Sequence, residues 1–407
     1  MAAIYRLPFS IQNFDSPLFM LQVGLEVLLD DEKILATGER FGYLSNQAST
    51  TRDLVHGRVA LQKKYGKQLT CLFSPQHGFY SEKQDNMIES DHMVDDVTGL
   101  VVHSLYGEHR RPTAQMFAEL DLLIIDLVDV GSRIYTFLYT MAYCLEAAAE
   151  FNKKVIVLDR PNPLGGVKTE GNILRDDCRS FVGLYPLPMR HGLTFAELAL
   201  LINSEYEIGA ELQVVPLKGW ERTMIFTQTG FPWVAPSPNM PTPATALLYP
   251  GQVIWEGTNV SEGRGTTLPF QLVGAPFWQH EDIICQLNNV TLPGCFFRPL
   301  YFQPTSGKWA GSVCCGFQIH VLDPQLFLPY RTGLTLLQSV YLLYPESFQY
   351  IDPPYEYEFI RTPIDLIVGD RGLRKKLENG VDVLELEQGW EGDLAYFNEL
   401  RQKYFLY

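Results

Sequence analysis

The 407-residue chain is 46% hydrophobic and 19% charged, a globular composition that excludes a disordered or fibrous protein and at this length predicts two domains. Its 32 lysines and arginines against 47 aspartates and glutamates leave a net charge of −15, which opposes attraction to phosphate backbones and anionic lipid, so neither nucleic acid nor a membrane is an expected partner. Residues 1–23 mix Arg6, Gln12, Asn13 and Asp15 among apolar positions, and the seven cysteines lack zinc-type spacing; with no secretory-type leader or apolar run of membrane-spanning length, these features predict a cytoplasmic protein with reduced thiols.

Five short apolar runs recur through the first 160 residues, at 41–45, 69–73, 100–105, 122–126 and 155–158. Each ends in polar or turn residues, and most are separated by segments of helical spacing, the pattern of βαβ units. Because the runs are continuously apolar rather than alternating, they predict strands buried on both faces in a largely parallel sheet. Residues 135–151, rich in Ala and Leu, read as a helix, and Thr194 with Glu197 three residues on predicts a capping box that opens another. Residues 212–217 are a candidate late strand, and five prolines within 232–243 require an extended, helix-free stretch. Past Gly265 the repeat gives way to short runs such as 312–321, aromatic clusters and further prolines, which predict an α+β unit. The expected architecture is α/β: a Rossmann-like, largely parallel sheet domain over 1–265 that carries most site residues, then a smaller α+β domain over 266–407.

In open α/β sheets ligands bind beyond the carboxyl ends of the strands, which makes the residues after each run the candidates. They are Asn46 and Gln47; Gln76 and His77; Tyr106 and Glu108; Asp129 and Arg133; and Asp159, Arg160 and Asn162. Turns alone favour Asp, Asn, Gly and Pro at such places, but two carboxylates and two arginines in neighbouring loops exceed what turns require. Three later segments add Arg190 and His191, then Asn239, then Asn259, Glu262 and Arg264 in a stretch with three glycines at 256–266. Those glycines let backbone approach a ligand closely, while Glu262 and Arg264 either bind polar groups of a sugar or pair with each other. The chain has no GxGxxG after its first strand, no P-loop lysine signature, and neither GxSxG nor HExxH, which counts against dinucleotide, nucleoside-triphosphate, serine-hydrolase and zincin chemistry. His77 and His191 lack partners at ligand spacing, so neither a metal nor a cofactor is expected.

Taken in order, SPQHGF (74–79), SLYG and RRPT (104–107 and 110–113), DLVDVGSRIYT (126–136), LDRPNPLGG (158–166), PMRHGLTFAEL (188–198), PSPNMPT (236–242) and YPGQVIWEGTNVSEGRGTTLPF (249–270) resemble one family, the exo-acting β-N-acetylmuramidases, formerly a domain of unknown function. The resemblance spans about residues 41–278. It implies a Rossmann-like domain whose cleft a smaller C-terminal domain closes, and release of terminal N-acetylmuramic acid from peptidoglycan fragments, as in cell wall recycling. Such a reaction needs an acid for the leaving oxygen and a second group, either a carboxylate or the substrate's own acetamido oxygen. The resemblance also implies a catalytic Glu where this chain carries Gln76, and glutamine neither gives nor takes a proton at neutral pH.

Glu82, in the acid- and amide-rich stretch 82–89, together with Asp129 and Glu262 are then the candidate acids, with His77 beside them. Muramic acid bears a lactyl carboxylate that a guanidinium grips with two hydrogen bonds. Arg133, Arg160, Arg190 and Arg264 are the candidates for that grip, those not used pairing with Asp129, Asp159 or Glu262. Asn46, Gln76, Tyr106, Tyr135, Asp159, Asn162, His191, Asn239 and Asn259 complete the expected substrate contacts. Two other readings are a non-catalytic binder or sensor of muramic-acid-containing fragments, motivated by Gln76, and a metal-dependent hydrolase built on Asp126, Asp129 and Asp159.

Overall fold

Each of the five apolar runs becomes a strand. The computed structural model describes residues 21–85, 87–288 and 290–407; the stretch read above as unlike a secretory leader lies outside them up to residue 20. The strands are β1 Phe41–Ser45, β2 Leu69–Ser74, β3 Met93–Val94, β4 Val101–Ser104, β5 Leu122–Asp126, β6 Lys154–Leu158, β7 Glu170–Ile173, β8 Pro188–Arg190, β9 Glu211–Val215, β10 Leu272–Ala275, β11 Cys295–Phe302 and β12 Cys314–Val321. Seven form one sheet in the order β3-β4-β2-β1-β5-β6-β9. All its pairings are parallel except that of β3, a two-residue strand antiparallel to β4 at one edge.

Burial on both faces explains the continuous apolar runs. Tyr43, Leu72, Ile124 and Ile156 point into one core, shared with the helices Gly24–Asp30 and Gly57–Tyr65. Their chain neighbours Leu44, Phe73, Ile125 and Val157 point into the other, under the helices Phe137–Glu150 and Phe195–Glu205. The second of these helices opens on the expected capping box: Thr194 Oγ1 accepts from the Glu197 amide, and Glu197 Oε2 accepts from the Thr194 amide at 3.0 Å. This second core runs on without a break into a three-stranded antiparallel sheet, β10-β12-β11, through Trp278, Phe317 and Leu337. The helices Pro329–Leu343, Pro363–Val368, Arg371–Glu378 and Val383–Gln402 complete that part. Among the described residues no helix is long and apolar enough to cross a membrane.

The order of strands reverses at β1, which has β2 on one side and β5 on the other, so the crevice beyond β1 and β5 is where an open α/β sheet ordinarily binds its ligand. Here the proline-rich stretch fills it. Asn46 donates its amide to the carbonyls of Val128 (3.1 Å) and Pro236 (3.3 Å), and Gln47 donates to that of Ala235 (2.6 Å). The site lies further along the rim, beyond β2 and β4.

Candidate active site

Gln76 and His77 follow β2, and the chain turns sharply at His77, whose φ of 78° is rare for a residue with a side chain. The His77 Nδ1 lies 2.9 Å from the Lys83 carbonyl, which can only accept, so Nδ1 carries the proton. Burial lowers the imidazole pKa to about 4, and the ring is neutral at neutral pH. Tyr106 follows β4, while Tyr135 and Thr136 lead into the helix Phe137–Glu150.

Gln76, His77, Tyr135 and Thr136 line a cleft together with Ser237, Asn239, Tyr249, Glu256, Arg264, Tyr355 and Glu356. Its far wall is a two-residue turn. Tyr355 and Glu358 exchange both backbone hydrogen bonds at 2.9 Å, which leaves Glu356 (φ 48°) and Tyr357 (φ 66°) as central residues in left-handed conformation. Such turns ordinarily use Asn and Gly. Two bulky residues there cost roughly 1–2 kcal/mol each, and strain of this kind collects at functional sites.

The turn aims Glu356 at Gln76. The Gln76 Nε2 donates to Glu356 Oε1 at 2.9 Å, and the Tyr106 hydroxyl donates to Glu356 Oε2 at 2.7 Å. The amide itself is oriented by Thr136, whose hydroxyl donates to Gln76 Oε1 at 2.6 Å. Each carboxyl oxygen of Glu356 therefore has one lone pair taken and another left. Burial raises the Glu356 pKa above its ordinary value, partly offset by the hydrogen bonds from Tyr106 and Gln76 and by the charge of Arg110. Burial thus favours the protonated form more than it would in an ordinary solvent-exposed carboxyl.

The expected acids sit elsewhere. Glu82 is exposed and accepts from the amide of Tyr80 at 3.1 Å. Glu262 is buried, which alone would raise its pKa, but Lys308 at 2.9 Å and Arg264 at 3.3 Å hold it below the ordinary value and hence ionised. Asp129 lines a different, more apolar cavity with Arg160 and Trp233; its Oδ2 accepts from Gly131 N at 2.7 Å and lies 3.8 Å from His191 Nε2.

The four candidate arginines are engaged with the protein. Arg133 donates to the carbonyls of Asn172, Leu187, Ile367 and Val368, and Arg190 to that of Leu164. Arg264 lines the cleft but is neutralised by Glu256 at 2.5 Å and Glu262 at 3.3 Å. Arg160 pairs with Asp126 at 2.6 Å, which is none of the three carboxylates expected to take an unused arginine. Asp159 has its oxygens filled by the amides of Arg160 (2.9 Å) and Ala196 (2.8 Å) and by the Tyr407 hydroxyl (2.5 Å).

Asn162 and Asn259 spend their amides on Leu193 O at 2.9 Å and Ser347 O at 2.8 Å. Asn239 donates to Gln84 O at 3.0 Å while facing the cleft. Asp126, Asp129 and Asp159 do not gather into a metal-binding group among the described residues, Asp126 being gripped instead by a guanidinium and the Tyr43 hydroxyl. The cleft thus unites Gln76, His77, Tyr135, Asn239 and Arg264 of the expected residues, with Tyr106 behind Glu356. The carboxyl at its wall, Glu356, lies in the unremarked stretch YEYE, with no glycine to betray the turn.

A buried, protonatable carboxyl at the rim of a Rossmann-like sheet, set among hydroxyls and amides, is the equipment of a glycoside hydrolase. Family models described as the N-terminal and C-terminal parts of exo-β-N-acetylmuramidase NamZ match residues 41–244 and 247–407. The chain belongs to this exo-β-N-acetylmuramidase family. It is 42% identical over 388 residues to the peptidoglycan β-N-acetylmuramidase NamZ of Bacillus subtilis (strain 168), covering 95% of this chain and 91% of that protein. Two crystal structures of DUF1343 family proteins from Bacteroides fragilis NCTC 9343 superpose on it. One has a TM-score of 0.85 at 34% identity, covering 96% of this chain and 100% of the other; the second has 0.75 at 28%, covering 95% and 99%.

Proposed function

We propose that the protein releases terminal N-acetylmuramic acid from peptidoglycan fragments, with Glu356 as the general acid. The observation that carries this reading is the Glu356 carboxyl, buried at the cleft wall between Gln76 and Tyr106. Glu356 passes its proton to the glycosidic oxygen as the bond breaks, and Gln76 and Tyr106 steady the carboxylate left behind. The sugar's own acetamido oxygen bonds to the anomeric carbon as the leaving group departs with that proton, and water then opens the cyclic intermediate, giving up a proton to the Glu356 carboxylate and yielding the free sugar. Asn239, Tyr135 and neutral His77 offer the cleft uncharged polar edges for that sugar. In this scheme the sheet domain, residues 1–265, supplies Gln76 and Tyr106, and the unit from 266 onward closes the cleft with Glu356. Incubation with a muramyl disaccharide, read by mass spectrometry, is expected to yield free N-acetylmuramic acid. Tight binding without release at any pH would replace this reading with that of a sensor.

The Gln76→Glu variant tests the acid through its pH profile. Gln76 donates to the Glu356 carboxylate and so favours the ionised form. A second carboxyl in its place withdraws that donor and adds like charge, so the pair shares a proton and one pKa rises. Activity requires protonated Glu356 and is lost as pH rises through its pKa. The alkaline limb of kcat/KM is therefore expected to move up by at least about one unit. An unmoved limb would show that Glu356 is not the group being titrated.

A further inference from the structure

Arg110, in the RRPT motif, occupies a setting unlike that of the four candidate arginines. Its guanidinium carbon lies 4.1 Å from the ring centre of Phe181 and 4.2 Å from that of Tyr357, with Tyr106 at 5.5 Å, and Phe181 in turn stacks on Tyr143. Two aromatic rings at contact distance thus hold the guanidinium by cation–π attraction. One edge nitrogen, Nη2, is buried without a hydrogen-bond partner, and no carboxylate lies within ion-pair distance among the described residues. It stands close to the cleft's Glu356: Tyr106, one of these rings, donates to the Glu356 carboxyl, and the Arg110 charge acts on that same carboxyl.

Aromatic faces offset the desolvation of a guanidinium only in part, and a half-buried cation with an idle donor is costly unless an anion completes it. A planar fork already fixed by stacking loses little freedom when a carboxylate arrives. We propose that Arg110 is the specificity residue that receives the lactyl carboxylate of the terminal sugar, an inference that rests on the muramidase reading above. Arg264, which lines the cleft, already faces two carboxylates, which leaves Arg110, close to Glu356, to read the substrate's charge.

The test compares 4-nitrophenyl β-N-acetylmuramide with the same compound carrying its lactyl group as the carboxamide, on wild type, R110M and R110K. Wild type is expected to favour the acid by about ten- to a hundredfold in kcat/KM, the value of a hydrogen-bonded charge. R110M should bring that ratio close to one, mainly through KM, and R110K should fall between, since it keeps the charge without the fork. A wild type that does not discriminate, or an R110M that still does, overturns the proposal. If Arg110 served only to tune Glu356, R110M would shift the pH profile alike on both substrates and leave the ratio intact, which also overturns it. Should wild type cleave neither compound, the failure belongs to the hydrolase reading. Calorimetry with N-acetylmuramic acid and its amide then decides Arg110: preference for the acid that R110M loses supports it, and equal binding refutes it.

Discussion

Glu356→Gln is expected to lower kcat/KM on a muramyl disaccharide by about 10²–10⁴-fold, the span that a positioned general acid supplies. The amide is close in shape but has no proton to give. It also brings a donor face to face with either the Gln76 amide or the Tyr106 hydroxyl, both of which donate to Glu356 in the native protein, so part of any loss could be structural. The leaving group separates the two causes. A dinitrophenyl muramide departs without protonation, and if Glu356 is the acid, E356Q should lose far less on that substrate than on the disaccharide. Equal losses on both would mean that the residue shapes the cleft rather than protonating the leaving oxygen.

The parts of this site that were legible in the sequence are those governed by local rules. A parallel strand buried on both faces must read as an apolar run, and a ligand must meet the sheet beyond its carboxyl ends; together these put Gln76, Tyr106 and Tyr135 on the correct rim. What stayed hidden was settled at long range. Glu356 stands 280 positions from Gln76, on a turn whose left-handed residues carry no glycine, so neither motif nor turn chemistry marks it. The arginines misled for a related reason. Sequence shows a guanidinium beside several carboxylates, but burial decides which is chosen. Asp159 is filled by backbone amides and a tyrosine from the other end of the chain, leaving Arg160 to Asp126, while Arg133 and Arg190 serve main-chain carbonyls. Arg110 drew no notice as a site residue because its distinguishing property, an idle edge between two rings, exists only in three dimensions.

The Arg160 to Asp126 pair supports the largest predicted effect on stability. Arg160 Nε and Nη2 meet Asp126 Oδ1 and Oδ2 at 2.6 and 2.8 Å, Nη1 donates to Thr50 O at 2.8 Å, and the Tyr43 hydroxyl reaches Asp126 at 2.6 Å. Both side chains are almost wholly buried, at the joint where the loops after β1, β5 and β6 meet. Replacing such a pair by apolar groups can be nearly neutral, but removing one partner strands the other, at a cost of about 3–5 kcal/mol. Arg160→Met should therefore lower the free energy of unfolding, read from denaturant titration at neutral pH, by that amount, and D126L/R160M should recover most of the loss. A double variant no more stable than R160M would mean that the arginine contributes packing and carbonyl contacts, and that its charge is not what holds the strand ends together.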